Sequence, residues 1–141
     1  MSTTPPLATE LDRRPARSRI LIVDDDAVVR GMTRELLRVC GCEVADLGVP
    51  GRVAAWLDDQ TVPVDALFVD VSMPLLSGPE LIERLGARIR GIPLVFMTGE
   101  QDPGVMRELQ RTYHAEVLHK PFTLRDLRAV LQRLSLGTPT A

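Results

Sequence analysis

The sequence predicts an α/β fold: a doubly wound, five-stranded parallel sheet with helices on both faces. Three observations carry that expectation. Short apolar runs recur along the chain at Ile20–Val23, Ala66–Val69 and Leu94–Met97, each closed by turn or acidic residues. These runs do not alternate with polar residues, so they read as strands covered on both faces. Between them, apolar residues return at helical spacing, giving β-α five times with short connections. Right-handed crossovers then favour the strand order 2-1-3-4-5, with the first and third strands adjacent at the switch point.

Each element has its own local reason. Ile20-Leu21-Ile22-Val23 is β-branched and apolar and ends in Asp24-Asp25-Asp26. From Ala27 the period becomes helical, with Val28, Met32, Leu36 and Val39 as the stripe and Gly41 as the stop. Glu43–Leu47 is a short second strand, and Pro50 opens a helix carrying Val53, Trp56 and Leu57. Ala66–Val69 then delivers a single carboxylate, Asp70, before Met73-Pro74 and Gly78 break the chain. Ser77-Gly78-Pro79-Glu80 has the spacing of a capping box and opens a helix with Leu81, Ile82, Leu85 and Ile89. Leu94–Met97 is the fourth strand, closed by Thr98-Gly99. Asp102 is the expected N-cap of a helix through Met106 and Leu109. Glu116–His119 is a fifth strand, cut off by Lys120-Pro121-Phe122. Thr123 and Asp126 cap a last helix with the stripe Leu124, Leu127, Val130, Leu131 and Leu134.

Composition bounds the possibilities. The 141 residues suffice for one domain with a real core. Residues 1–18, with Pro5, Pro6 and Pro15, read as a flexible tail, 19–136 as the domain, and 137–141 as a second tail. Apolar content of 45%, charged content of 26% and a net charge of −2 are ordinary, with no basic surface for nucleic acid. There is no run long enough for a membrane span and no signal-peptide core, so a cytoplasmic protein is expected. Cys40 and Cys42 read as small buried hydrophobes. Among seventeen basic residues, only Lys120 is a lysine; a compact point charge differs from an arginine fork.

That topology brings Asp24, Asp25 and Asp70 together at the carboxyl ends of neighbouring strands. Carboxylates ~4–5 Å apart repel by a few kcal/mol at an effective dielectric near 20, so one must be protonated or a cation must sit between them. An all-oxygen ligand set favours Mg²⁺. A carboxylate beside that ion can act as nucleophile toward a phosphoryl group, giving an aspartyl phosphate. Thr98, ending the fourth strand, can offer a hydroxyl to the group, and Lys120, after the fifth, a positive charge.

The pieces ILIVDDDAVVR, FVDVSMPLLSG, VFMTG and HKPF, in this order and spacing, resemble the receiver domain of two-component response regulators over about residues 19–135. The resemblance implies a flavodoxin-like (βα)5 fold and a phosphoacceptor, Asp70. It implies that Mg²⁺ is held by Asp25 directly, by Asp24 mainly through water, by Asp70, and by the backbone carbonyl of Ser72. Thr98 and Lys120 would contact the phosphoryl group, and Pro121 would follow a cis peptide. Asp26 would face the loop or the helix start rather than the metal. The implied partners are a histidine kinase or histidine phosphotransfer protein and an unknown downstream protein, with no nucleic acid and no membrane. The implied activity is phosphate acceptance with slow self-dephosphorylation, not metabolic catalysis. Two departures stand out: Val117 takes the place of the usual Tyr or Phe three residues before the lysine, and Tyr113-His114-Ala115 replaces the usual Gly-Ala.

Two other functions compete. Asp24-x-Asp26 after an apolar strand loosely matches the nucleophile motif of phosphatases resembling the haloacid dehalogenase superfamily, with Asp24 as nucleophile. A receiver-like scaffold that binds partners without phosphorylation is the third reading.

Overall fold

The computed structural model describes residues 17–99 and 103–137. Five parallel strands lie in the order β2-β1-β3-β4-β5: β1 (Arg19–Val23), β2 (Glu43–Leu47), β3 (Ala66–Asp70), β4 (Leu94–Thr98) and β5 (Glu116–His119). The helices between them are α1 (Ala27–Val39), α2 (Val53–Asp58), α3 (Gly78–Leu85), α4 (Pro103–Tyr113) and α5 (Leu124–Arg133). The expected fold class and strand order are therefore the observed ones. The expected Asp102 cap and nearly all of both expected tails lie outside the described residues. Among the described residues, no helix is long and apolar enough to cross a membrane.

The sheet separates two apolar cores, as the non-alternating strands require. Ile20, Ile22, Phe68, Val95, Met97 and Leu118 point into one, against Leu37, Leu127, Val130 and Leu131 of α1 and α5. Leu21, Val23, Leu67, Val69 and Phe96 point into the other, against Val53, Leu81, Ile82 and Leu85 of α2 and α3. The α5 stripe is the expected one. Trp56 is partly buried at the edge of the second core.

Three helices differ from expectation. On α1, the residues Val28, Met32 and Val39 are 80%, 47% and 61% exposed, and the buried ones are Thr33 and Leu37. The helix is rotated because Leu37 and half-buried Leu36 meet the sheet while Thr33 hides its hydroxyl by donating to the Val29 carbonyl at 2.8 Å. Pro50 opens a single 3₁₀ turn, Pro50–Arg52, and α2 itself begins only at Val53. The helix expected to carry Leu81 through Ile89 ends at Leu85. Gly86 breaks it at φ 51°, and a 3₁₀ turn brings Ile89 back to the core.

Register fixes what meets at the carboxyl edge of the sheet. Val23 pairs with Val69, so the next residues, Asp24 and Asp70, are neighbours. Asp70 pairs with Met97, and Thr98 with His119, which sets Thr98 and Lys120 at the same edge. By period two, Asp24, Asp70 and Lys120 continue the face of Ile22, Phe68 and Leu118.

Candidate functional site

Asp24, Asp25 and Asp70 each bring a carboxylate oxygen within 4.8 Å of the others. Asp24 is fully buried, Asp70 is 6% exposed and Asp25 is open to solvent. Lys120 enters from across the sheet, its Nζ 3.0 Å from Asp24 Oδ2 and 3.3 Å from Asp70 Oδ1. Thr98 is buried at the end of β4, beside the strand that carries Asp70. The Lys120–Pro121 peptide is cis.

The surrounding backbone explains why these groups converge. Asp24 Oδ1 accepts from the Asp26 N–H at 2.9 Å, drawing the chain into a turn straight after β1. Asp26 then turns away and caps α1, accepting from the Val28 and Val29 N–H groups. It faces the helix start, as expected. On the other side, Ser72 donates its N–H to Asp70 Oδ1 at 3.3 Å. The capping box of α3 forms as expected, with Ser77 and Glu80 bonded reciprocally. Its first residue, Gly78, must lack a side chain: a Cβ there would lie 2.5 Å from the Asp70 carbonyl oxygen. Gly78 thus lets α3 start directly against the end of β3.

The charges are poised. Burial pushes the Asp70 carboxyl above its ordinary value, with the Asp24 charge adding to that rise and Lys120 opposing it. Burial works against the Lys120 ammonium, but its bond to Asp24 and the charges of Asp70 and Asp24 outweigh burial and hold it above the usual lysine value. One cation therefore serves two buried carboxylates, while Asp25 leaves a third negative charge without a cation in this set. Three carboxylates at this spacing with only oxygen donors fit a hard divalent cation. Asp25 and Ser72 also line an open groove with Val71, Met73, Val105 and Leu109.

Asp24, Asp25, Asp70 and Lys120 are thus brought together as the strand order implies, with Thr98 and Ser72 on the flanking strand end and loop. His119 is half-buried, and His114 is exposed at φ 52° in the turn before β5. Val117 packs at the margin of the second core, where Tyr113 instead sets its ring edge-on to Phe96, with centroids 5.4 Å apart. Arg30 escapes notice in the sequence. Its guanidinium reaches the Asp24 carbonyl and Asp46, and the available signal was an acid, Asp46, on a short and otherwise mainly apolar strand.

The family model for the response regulator receiver domain matches residues 20–132. A transcriptional regulatory protein, FixJ, from Azorhizobium caulinodans is 34% identical over 125 residues, covering 87% of this chain and 57% of that protein. The two-component response regulator ARR11 of Arabidopsis thaliana is 26% identical over 121 residues, covering 85% of this chain and 23% of that protein. The chain thus spans about half or less of these curated relatives. A crystal structure of a response regulator receiver protein from Burkholderia phymatum superposes with a TM-score of 0.74 at 30% identity, covering 88% of this chain and all of that one.

Proposed function

Because the chain belongs to the response regulator receiver domain family, we propose that it accepts a phosphoryl group on Asp70 and signals through protein contacts. The observation that carries this reading is the meeting of Asp70 with Lys120 at 3.3 Å beside two further carboxylates. An Asp70 oxygen attacks phosphorus in line with the leaving group. The new O–P bond forms as the old one breaks, and the leaving group departs with the electron pair. Lys120, already an ammonium between Asp24 and Asp70, faces the negative charge on the transferred group, and Thr98 offers a hydroxyl at the same edge. Asp24, Asp25 and Asp70, with the Ser72 carbonyl, would hold a Mg²⁺ ion, which when bound supplies charge neutralisation for the phosphoryl oxygens. Hydrolysis of the aspartyl phosphate by the chain itself is slow, so the modified state persists long enough to be read.

The donor is a histidine kinase or histidine phosphotransfer protein in the cytoplasm, and the receiver unit is residues 19–136. A protein partner is supported by exposed apolar side chains: Val28 and Leu75, a few residues along the chain from Asp25 and Asp70, and Val105, which lines the groove with Asp25. Receiver domains are signalling modules rather than metabolic enzymes. A phosphatase with Asp24 as nucleophile is disfavoured: Asp24 is fully buried, with one oxygen on Lys120 and the other on the Asp26 N–H. Incubation with Mg²⁺ and a small phosphodonor, followed by intact mass measurement, should add one phosphate to the wild type and none to Asp70→Asn. Equal labelling of both refutes the assignment of Asp70.

A further inference from the structure

The turn after β1 is gripped from outside by a residue on α1. Arg30 donates from Nη1 to the backbone carbonyl of Asp24 at 2.8 Å and from Nε to Asp46 Oδ2, also at 2.8 Å. Asp46 lies on β2, paired in register with Ile22, and its other oxygen accepts from Arg34 Nη1 at 3.1 Å. Gly48 provides the room: a Cβ there would sit 2.6 Å from Arg30 Nη1. The guanidinium therefore bridges the ends of two strands, with the two sides of its fork engaged differently. A lysine carries one compact head and cannot make both bonds in that geometry.

The carbonyl of Asp24 and the N–H of Asp25 belong to one rigid peptide plane. Holding the carbonyl therefore fixes one of the two planes that flank the Cα of the exposed Asp25. The Asp24 carboxylate holds the N–H of Asp26, in the other plane, so the two bonds together set the direction in which the Asp25 side chain leaves the chain. Resting on the proposed role of Asp24 and Asp25 as ligands, we infer that Arg30 is a positioning residue for the metal site. Through the Asp24 carbonyl it fixes the turn that presents both carboxylates, and Asp46 and Gly48 complete its seat. Outer partners of this kind set ligand orientation, and their loss weakens metal binding by tenfold or more.

The test is calorimetric titration of the full chain with MgCl₂ alone, paired with the Mg²⁺ dependence of labelling by a small phosphodonor. Arg30→Ala should weaken Mg²⁺ binding about tenfold, with Arg30→Lys restoring only part of it. Gly48→Ala should act in the same direction, because the new methyl displaces the guanidinium while Arg30 and every carboxylate keep their identity. Its backbone is not in the left-handed region, so alanine fits the conformation. Arg34→Ala removes a bond to the same Asp46 carboxylate but none to Asp24, and should bind Mg²⁺ as the wild type does. At saturating Mg²⁺ the labelling rate of Arg34→Ala should equal that of the wild type. Unaltered Mg²⁺ affinity in both Arg30→Ala and Gly48→Ala overturns the inference, as does an equal loss in Arg34→Ala. A wild type that binds Mg²⁺ but gains no phosphate overturns the proposed function and leaves the role of Arg30 standing.

Discussion

Replacing Asp70 by asparagine should make the protein more stable at neutral pH without divalent cations. The side chain keeps its shape and its oxygen for the Ser72 N–H, but its charge is gone. At an effective dielectric of 20, the attraction of Lys120 at 3.3 Å favours ionised Asp70 by roughly 5 kcal/mol. Repulsion from Asp24, no more than 4.8 Å away, opposes it by at least roughly 3.5 kcal/mol, and solvent-exposed Asp25 adds a screened remainder. These nearly cancel, which leaves the desolvation of a carboxylate only 6% exposed to decide the sign. The expected net gain is about 1–2 kcal/mol, or about 0.5–1 M in the urea midpoint for an m-value near 2 kcal/mol/M. Trp56, the only tryptophan, reports the transition by fluorescence. The pH dependence supplies a second check. Asp70 has a raised value in the folded protein, so its neutral form contributes stability that is fully present below its ordinary 3.8 and lost as pH rises through the folded value. The advantage of Asp70→Asn should therefore vanish near pH 4 and grow toward pH 7. Adding 10 mM MgCl₂ should narrow it, because the wild type offers the ion one more ligand. A lower urea midpoint for Asp70→Asn at pH 7 without Mg²⁺ would show that Lys120 outweighs burial, and the electrostatic account would be wrong.

Three further outcomes are expected. Lys120→Met leaves two buried carboxylates without their cation and should destabilise by about 2–3 kcal/mol, below the 3–5 of fully buried pairs because the lysine is one-fifth exposed; the loss should shrink in an Asp70→Asn background, measured by the same urea melts. Gly78→Ala drives a methyl into the Asp70 carbonyl oxygen and should cost about 2–3 kcal/mol, read as a fall in the thermal midpoint. Burial pushes the Cys42 thiol up from 9.0 to about 11, with Cys40 adding to the rise. Its neutral form therefore contributes stability fully present below pH 9 and lost toward pH 11, by roughly 2–3 kcal/mol. Wild type should fall relative to Cys42→Ala across that window, and parallel curves would refute it.

β1, β3 and β4 were legible because a parallel sheet covered on both faces leaves no polar position between the ends of its central strands, so the apolar runs mark them directly. Caps were legible for a local reason: Ser77 with Glu80, and Thr123 with Asp126, satisfy N–H groups a few residues away. Orientation was harder. On α1 the repeat Val28, Met32, Leu36, Val39 is a good helical stripe, yet it says nothing about which side meets the sheet. Thr33 can be buried because the preceding turn accepts its hydroxyl, and that exchange has no signature in periodicity. The carboxylate cluster was readable from strand order alone. The hold of Arg30 on the Asp24 carbonyl was not, because a bond from a side chain to a backbone oxygen leaves no residue type to recognise at its far end.

The pairing of Lys120 with Asp24 joins residues 96 positions apart. During synthesis the acidic residues of β1 and β3 emerge first, and their cation only with the final strand. Until β5 docks against β4, the carboxylates face each other without that charge, and the place where a phosphoryl group would be received is not yet built. The balance of charge at this edge is thus a property of the finished fold alone.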